Sequence, residues 1–352
     1  MIEKIQNRIA QAIEEKVFPA CVVGFTQSNG NRVVVPAGKF TFDNNAQVVE
    51  ENTIFDIASI TKSIPTSSLA LKLIDENQIS LEDKLINFVP ELSNFYREEV
   101  LIKHLLTQTL DYSFRLSAHK DKTPEEILDI IFTTEFKNQP GTNLSYANTN
   151  SILLGLVITK VFSKTLDKLG EKYFFQPLKM IKTSFHPLRQ FTKKEIVPTE
   201  IQEWRGGLVQ GEVHDESAYS LMQKMVVGSA GLFSTVPDLL NFLEMLLNNG
   251  VFSGNQYFST KTMQQIQSNQ LAHIGQRASL GWELNQPRYM GKYSSETTFG
   301  KTGFTGCSCV CDIKRGVALV ILSNYTFPAR KPDATLINKF RSDIADIIFE
   351  NL

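Results

Sequence analysis

Ser59 and Lys62 lie three residues apart in the run Phe55-Asp56-Ile57-Ala58-Ser59-Ile60-Thr61-Lys62. On a helix that spacing puts both side chains on one face, about one turn apart. A serine hydroxyl is a weak nucleophile at neutral pH, and an amine held beside it can serve as its base. The same spacing recurs in Ser117-Ala118-His119-Lys120. Context separates the two copies. Ile64, Leu69, Leu71, Leu73 and Ile74 follow Ser59 without a turn cluster, which predicts a mostly buried helix. Pro65, in about its second turn, predicts a local bend rather than a break. Ser117 sits among Asp111, Arg115, Lys120, Asp121 and Lys122, which reads as a solvated loop.

Two more segments carry groups that suit acyl chemistry. Pro140-Gly141-Thr142-Asn143-Leu144-Ser145-Tyr146-Ala147-Asn148 is a turn that ends in Tyr-Ala-Asn at the start of a helix. A tyrosine hydroxyl near a lysine can titrate low enough to relay a proton. An asparagine side chain offers donors and an acceptor to an amide. Phe299-Gly300-Lys301-Thr302-Gly303-Phe304-Thr305-Gly306 is a glycine-punctuated strand edge. Its free N–H groups can bind an extended substrate and stabilise an oxyanion.

The elements that must hold these segments follow from patterning. A helix is expected over about 3–16, then strands Ala20–Gln27 and Arg32–Ala37 joined by the hairpin signal Asn29-Gly30-Asn31. From Ser59 to about 250 the pattern is mainly helical, with helices over 148–161 and 237–247. Ser234-Thr235-Val236-Pro237-Asp238 supplies the start signals of the latter. Strands return at Gly281–Leu284, Thr297–Gly300, Cys307–Asp312 and Val317–Ser323, and a helix closes the chain over about 334–350. The economical packing is α+β. One antiparallel sheet is built from both ends, 1–57 and 281–352, and flanked by helices. A mainly helical domain, 58–280, is inserted, with the active site in the crevice between.

Composition narrows the function classes. The chain has 352 residues, 42% hydrophobic and 21% charged, with a net charge of −1 and no long block of like charge. That is ample for a large core and gives no nucleic-acid footprint. Charges interrupt the apolar residues of the first sixteen positions, so no signal peptide is visible there, and no segment approaches the roughly 18 apolar residues of a membrane span. The expectation is a soluble, cytoplasmic protein, or a periplasmic or extracellular one if a leader has been trimmed. Of the four cysteines, Cys307, Cys309 and Cys311 alternate on one strand face and Cys21 stands apart. Without a second cluster or a histidine pair they read as packing residues in a reducing compartment, not as a metal site.

With these motifs in place, the chain resembles the serine β-lactamase and penicillin-binding-protein superfamily. It resembles the class C side, which also holds DD-carboxypeptidases, D-aminopeptidases and carboxylesterases. The likeness runs from Phe18-Pro19-Ala20 through Phe55–Lys62, Leu105-Leu106-Thr107, Pro140–Asn148, Gly281-Trp282 and Lys301–Gly306 to Leu322-Ser323-Asn324. Gly211–Glu216 with Ala230–Thr235 is similar to a subset of these proteins. The resemblance implies a β-lactamase/DD-peptidase-like fold with Ser59 as the acylated nucleophile and Lys62 with Tyr146 as the proton-transfer pair. It further implies that Asn148 binds the substrate amide, that Lys301 and Thr302 recognise a carboxylate, and that the N–H groups of Ser59 and Phe304 form an oxyanion hole. Two departures bear on substrate. Many esterase-like relatives carry His where this chain has Lys301. Relatives often follow Leu-Leu-Thr with His-Thr-Ser-Gly, where this chain has Gln108-Thr109-Leu110-Asp111.

Each residue also has a plainer reading: Ser59 and Lys62 as a helix surface pair, Tyr146 as a turn aromatic, Asn148 as a helix cap, Lys301 as a solvated edge charge. His214-Asp215-Glu216 invites a Ser-His-Asp reading, but Lys62 already fills the place of the base, so a cleft-lining loop or a structural cluster is expected. Trp204-Arg205-Gly206-Gly207 reads equally as cleft border or loop anchor. The expected activity is a cofactor- and metal-independent serine hydrolase acting through an acyl-enzyme. Its substrate is a small molecule or peptide with an amide or β-lactam carbonyl, as in a D-Ala-type peptidase or a class C β-lactamase. The alternatives are a carboxylesterase and, from another class, a non-catalytic or filament-forming scaffold on the same fold.

Overall fold

A computed structural model describes residues 1–352. Its centre is a six-stranded antiparallel sheet. The strands are β1 (Ala20–Gln27), β2 (Arg32–Gly38), β3 (Glu283–Leu284), β4 (Phe299–Thr302), β5 (Ser308–Asp312) and β6 (Val317–Ser323). Their spatial order is β2-β1-β6-β5-β4-β3, so the two ends of the chain meet where β1 pairs with β6, Gly24 opposite Val320. The α+β architecture read from the sequence is therefore the observed one.

Both faces of this sheet are covered, which is why β1 and β6 read as continuous apolar runs rather than alternating ones. On one face Cys21, Val23, Phe25, Leu319 and Ile321 pack against α1 (Ile2–Glu14) and α5 (Thr335–Glu350). Phe18 meets Phe340 edge to face at 4.8 Å, and Arg8 reaches Asp343 at 2.8 Å, tying the first helix to the last. On the other face Val22, Val320, Leu322, Cys309 and Cys311 join the large core that runs into the helical region. The cysteines are free and buried there, and burial pushes the thiols of Cys307 and Cys309 up to about 11 and about 12, as expected of packing residues.

Helix α4 (Val236–Leu247) falls inside the span 58–280, yet it lies directly on the sheet. Thr235 caps it by accepting from the Asp238 N–H, and Pro237 occupies its first turn, as its start signals predict. The approach is close enough that a Cβ on Gly24 would sit 2.4 Å from Val236 Cγ1. Helices α2 (Ser68–Asp75) and α3 (Asn148–Phe162) form the middle of the helical region.

The segment after Ser59 differs from the expected continuous helix. Ala58–Lys62 is a tight 3₁₀ turn, Ser63–Ser67 a wider turn, and regular α-helix begins only at Ser68. Ile64 is extended (φ −119°, ψ 107°). A residue before proline is pushed out of the α region, so Pro65 interrupts the helix instead of bending it. Ser117 lies exposed in a short 3₁₀ turn, in keeping with a solvated segment. No helix is long and apolar enough to cross a membrane.

Gly24→Val would force a branched side chain into the contact between β1 and α4. We expect a loss of about 1–3 kcal/mol, read as a lower urea midpoint at unchanged slope; an unchanged midpoint would mean that α4 does not bear on the sheet this closely.

Candidate active site

Ser59 is presented by a strained backbone. Ala58, just before it, has φ +46°, a conformation uncommon outside glycine. Asp56 holds it there: Oδ1 accepts from the Ala58 N–H at 2.8 Å, and Oδ2 from the His214 N–H at 2.7 Å. The Asp56 carbonyl accepts from Thr305 Oγ1 at 2.7 Å, which ties the serine turn to the loop after β4. The two pack so closely that a Cβ on Gly303 would lie 2.4 Å from the Ile57 carbonyl oxygen. That contact explains why a glycine follows Lys301-Thr302.

Lys62 is buried, and its Nζ lies 3.0 Å from Ser59 Oγ and 2.7 Å from the Ser229 carbonyl oxygen. Burial drives its amine below the usual lysine range; the nearby Tyr146 and Asp215 oppose that shift and Lys301 adds to it. The pair is thus inside the protein, not on a helix surface. Tyr146 leans over both lysines, its ring centroid 5.3 Å from Lys62 Nζ and 4.3 Å from Lys301 Nζ. Desolvation pushes the Tyr146 hydroxyl up, but the charges of Lys301 and Lys62 and the Ser59 hydroxyl outweigh it, and the net shift is downward. The residue remains 52% exposed and lines the cleft, so it is not a packed turn aromatic.

Asn148 is the first residue of α3, and Ala147 occupies the capping position without a side-chain cap. The capping expectation therefore fails: Asn148 Nδ2 instead donates to Asp215 Oδ2 at 2.9 Å and Ser217 Oγ at 3.2 Å. Both donors serve the protein, and Oδ1 has no hydrogen-bond partner in the chain. Asp215 also caps the short helix Glu216–Leu221 through the Ala218 N–H. Desolvation raises the Asp215 carboxyl, but Ser217, Lys62 and Asn148 together bring it below its ordinary value.

Lys301 is buried, which removes the solvated edge-strand reading. Strand β3 pairs only with Phe299 and Gly300, so the outer edge of Lys301–Thr302 has no strand neighbour and lines the cleft. Lys301 Nζ is bound to Glu283 Oε1 at 3.1 Å, and Glu283 Oε2 accepts from Arg288 at 2.8 Å. Burial alone would lower the Lys301 amine, yet Tyr146 and Glu283 hold it above its usual value. The lysine thus stays charged. Phe304, 57% exposed, follows on the rim, and its backbone N–H and that of Ser59 have no acceptor within the chain. Ser59, Lys62, Tyr146, Lys301, Thr302 and Phe304 share one cleft of about 510 Å³. Asn148 stands behind this wall rather than among the lining residues.

The family model of the β-lactamases matches residues 5–341. The chain belongs to the β-lactamase family. Members of this family are serine hydrolases. Among curated relatives, a protein of Salmonella agona (strain SL483) named "Putative D-alanyl-D-alanine carboxypeptidase" is 29% identical over 305 residues, 78% of this chain and 69% of its own. An Escherichia coli (strain K12) protein of the same name is 28% identical over 304 residues, 77% and 69%. Among solved structures, EstCE1, a hydrolase with promiscuous acyltransferase activity, superposes with a TM-score of 0.77 at 19% identity, covering 99% of this chain and 98% of its own. The octameric penicillin-binding protein homologue from Pyrococcus abyssi gives 0.77 at 20%, covering 99% and 77%. These two share the fold.

Several neighbours of the site were not singled out as site residues. His214 does not serve Ser59: its Nε2 meets Glu200 Oε2 at 2.8 Å and its ring stacks on Phe304 at 5.7 Å. Glu216 pairs with Arg330, which also binds Glu200. His214 and Glu216 form a structural cluster behind Phe304, while Asp215 faces the lysine. Arg205 is a loop anchor, donating to the Val213 carbonyl at 2.7 Å and lying 3.7 Å over the Tyr219 ring. Arg341, buried in α5, donates to the carbonyls of Gly303 and Cys307 at 2.9 and 2.8 Å and so fixes the loop that carries Phe304. Its signal was available: a charge at the i+4 position from Ile337 lies on the buried stripe of the helix.

Gln108, at the departure from the relatives' loop, braces Tyr146. Its carbonyl accepts from the Ser145 N–H at 2.8 Å, its Oε1 from the Ala147 N–H at 3.2 Å, and its Nε2 reaches Ser151 Oγ at 3.2 Å. Gln108→Ala strips the Ala147 N–H of its acceptor, at a cost of about 1–3 kcal/mol. The freed Tyr146 should titrate closer to an ordinary tyrosine, as followed by ultraviolet difference titration against Tyr146→Phe. An unmoved Tyr146 titration would show that the loop holds without Gln108.

Proposed function

We propose that this β-lactamase-family protein forms an acyl-enzyme on Ser59. The observation that carries the reading is the 3.0 Å contact of Ser59 Oγ with a buried amine whose affinity for protons is reduced. Neutral Lys62 takes the proton as Ser59 Oγ bonds to the substrate carbonyl carbon. The N–H groups of Ser59 and Phe304 receive the oxyanion. Tyr146, set between the amines, passes a proton to the leaving group as its bond to the carbonyl carbon breaks. Water, deprotonated by the same pair, then attacks the ester on Ser59 and releases the acid. Asn148, which does not line the cleft, would act on a substrate only through the elements it holds together by its bonds to Asp215 and Ser217.

The first reading of the substrate is an amide or β-lactam carbonyl on a small molecule or peptide, as in a D-Ala-type peptidase. The Lys-Thr-Gly run and the names of the curated relatives support it. A second reading, an uncharged ester, is favoured by one observation: the Lys301 charge is already matched by Glu283.

Intact-mass measurement after incubation with a penicillin and, separately, a short-chain activated ester tests this. We expect a stoichiometric adduct on Ser59 with at least one of them, absent from Ser59→Ala. Lys62→Ala, Tyr146→Phe and the double variant should lose similar activity, because the two act as one unit. An adduct that survives in Ser59→Ala, or that maps to Ser117, would overturn the assignment. No adduct with either reagent would favour a non-catalytic scaffold.

A further inference from the structure

The cleft wall opposite Ser59 contains an ion pair that the acyl-transfer chemistry does not require. Glu283 enters from β3 and places one carboxylate oxygen 3.1 Å from Lys301 Nζ and the other 2.8 Å from the Arg288 guanidinium. The Lys301 side chain is 5% exposed and that of Glu283 20%, so neither charge is freely screened by solvent. Lys301, Glu283 and Arg288 line the same cleft as Ser59. A carboxylate spanning a lysine and an arginine has the geometry in which a substrate carboxylate would be held. Here that place is filled by the chain's own residue.

We propose that Glu283 is a specificity-determining residue that occupies the anion position on Lys301 and disfavours substrates bearing a carboxylate beside the attacked carbonyl. The inference rests on the reading that Ser59 and Lys301 serve one substrate, and it selects the uncharged substrate over the D-Ala-type one. A carboxylate-bearing substrate must displace Glu283 from Lys301 or lie beside it. Displacement leaves a partly buried carboxylate holding only Arg288, and coexistence sets two like charges on one lysine. An uncharged ester or amide meets neither obstacle. It finds a wall whose charges are already matched, with the open edge of Lys301–Thr302 still free for hydrogen bonding.

Two measurements separate this inference from the acyl-enzyme reading. The first compares kcat/KM for a depsipeptide with a free terminal carboxylate and for its methyl ester, in the wild type and in Glu283→Gln. The ratio of charged to uncharged substrate should rise about tenfold or more in the variant. The second needs no turnover: calorimetric binding of N-acetyl-D-alanine to Ser59→Ala, with and without Glu283→Gln. Binding should tighten by about tenfold with Glu283→Gln. Arg288→Gln leaves Glu283 with Lys301 alone and should not tighten it. An unchanged ratio with unchanged binding, or equal tightening by both variants, overturns the inference. Tightened binding in a protein that never acylates Ser59 would retain the anion-site assignment and sink the acyl-enzyme reading.

Discussion

A lysine amine kept out of water next to a serine hydroxyl is the constraint on which the rest of this structure depends. An ammonium in a dry interior is costly, and the group responds by giving up its proton more readily. Lys62 is held there by the Ser229 carbonyl at 2.7 Å and Ser59 Oγ at 3.0 Å. No single element can supply that environment. It takes the 3₁₀ turn that bears Ser59, the strand-edge loop after β4 and the Tyr146 turn, converging from three distant parts of the sequence. The sheet fixes the second of these and the helical region the third.

The charges around this amine are arranged to limit its perturbation. Asp215 and Tyr146 favour its charged form; Lys301 and burial oppose it. Glu283 keeps Lys301 charged, and Lys301 in turn depresses Tyr146. Hydrogen bonds to the backbone around them supply rigidity. Arg341 clamps the Phe304 loop through two carbonyls, and Gln108 braces the turn of Tyr146. A proton relay needs such support, since small displacements of the reacting groups cost heavily in rate.

Much of this was legible in the sequence because its signals are local. Hairpin chemistry at Asn29-Gly30, the capping run before α4 and the apolar run of α3 each determine an element within a few residues. The pairing of both ends into one sheet followed from strands lying at the two termini. The order of Ser59/Lys62, Tyr146 and Lys301 carried the resemblance to the β-lactamase family. What stayed hidden was long-range. Nothing near Ile64 says that its backbone will be extended enough to interrupt the helix, beyond the proline after it. The Glu283–Lys301 contact joins residues eighteen apart on neighbouring strands. The partner of the Asn148 side-chain amide, Asp215, lies 67 residues away, beyond the reach of any local pattern.

The account is tested most directly by the pH dependence of Ser59 acylation by an uncharged activated ester, followed by intact mass in the wild type and in Lys62→Arg. If Lys62 is the base, the acylation rate rises with pH as the amine loses its proton. The midpoint of that limb lies below the ordinary lysine value of 10.5, because burial lowers it. An arginine stays protonated throughout, so the limb should vanish in Lys62→Arg and the rate fall by about a hundredfold or more. A limb of the same midpoint and amplitude in Lys62→Arg would contradict the account and assign the base to another group.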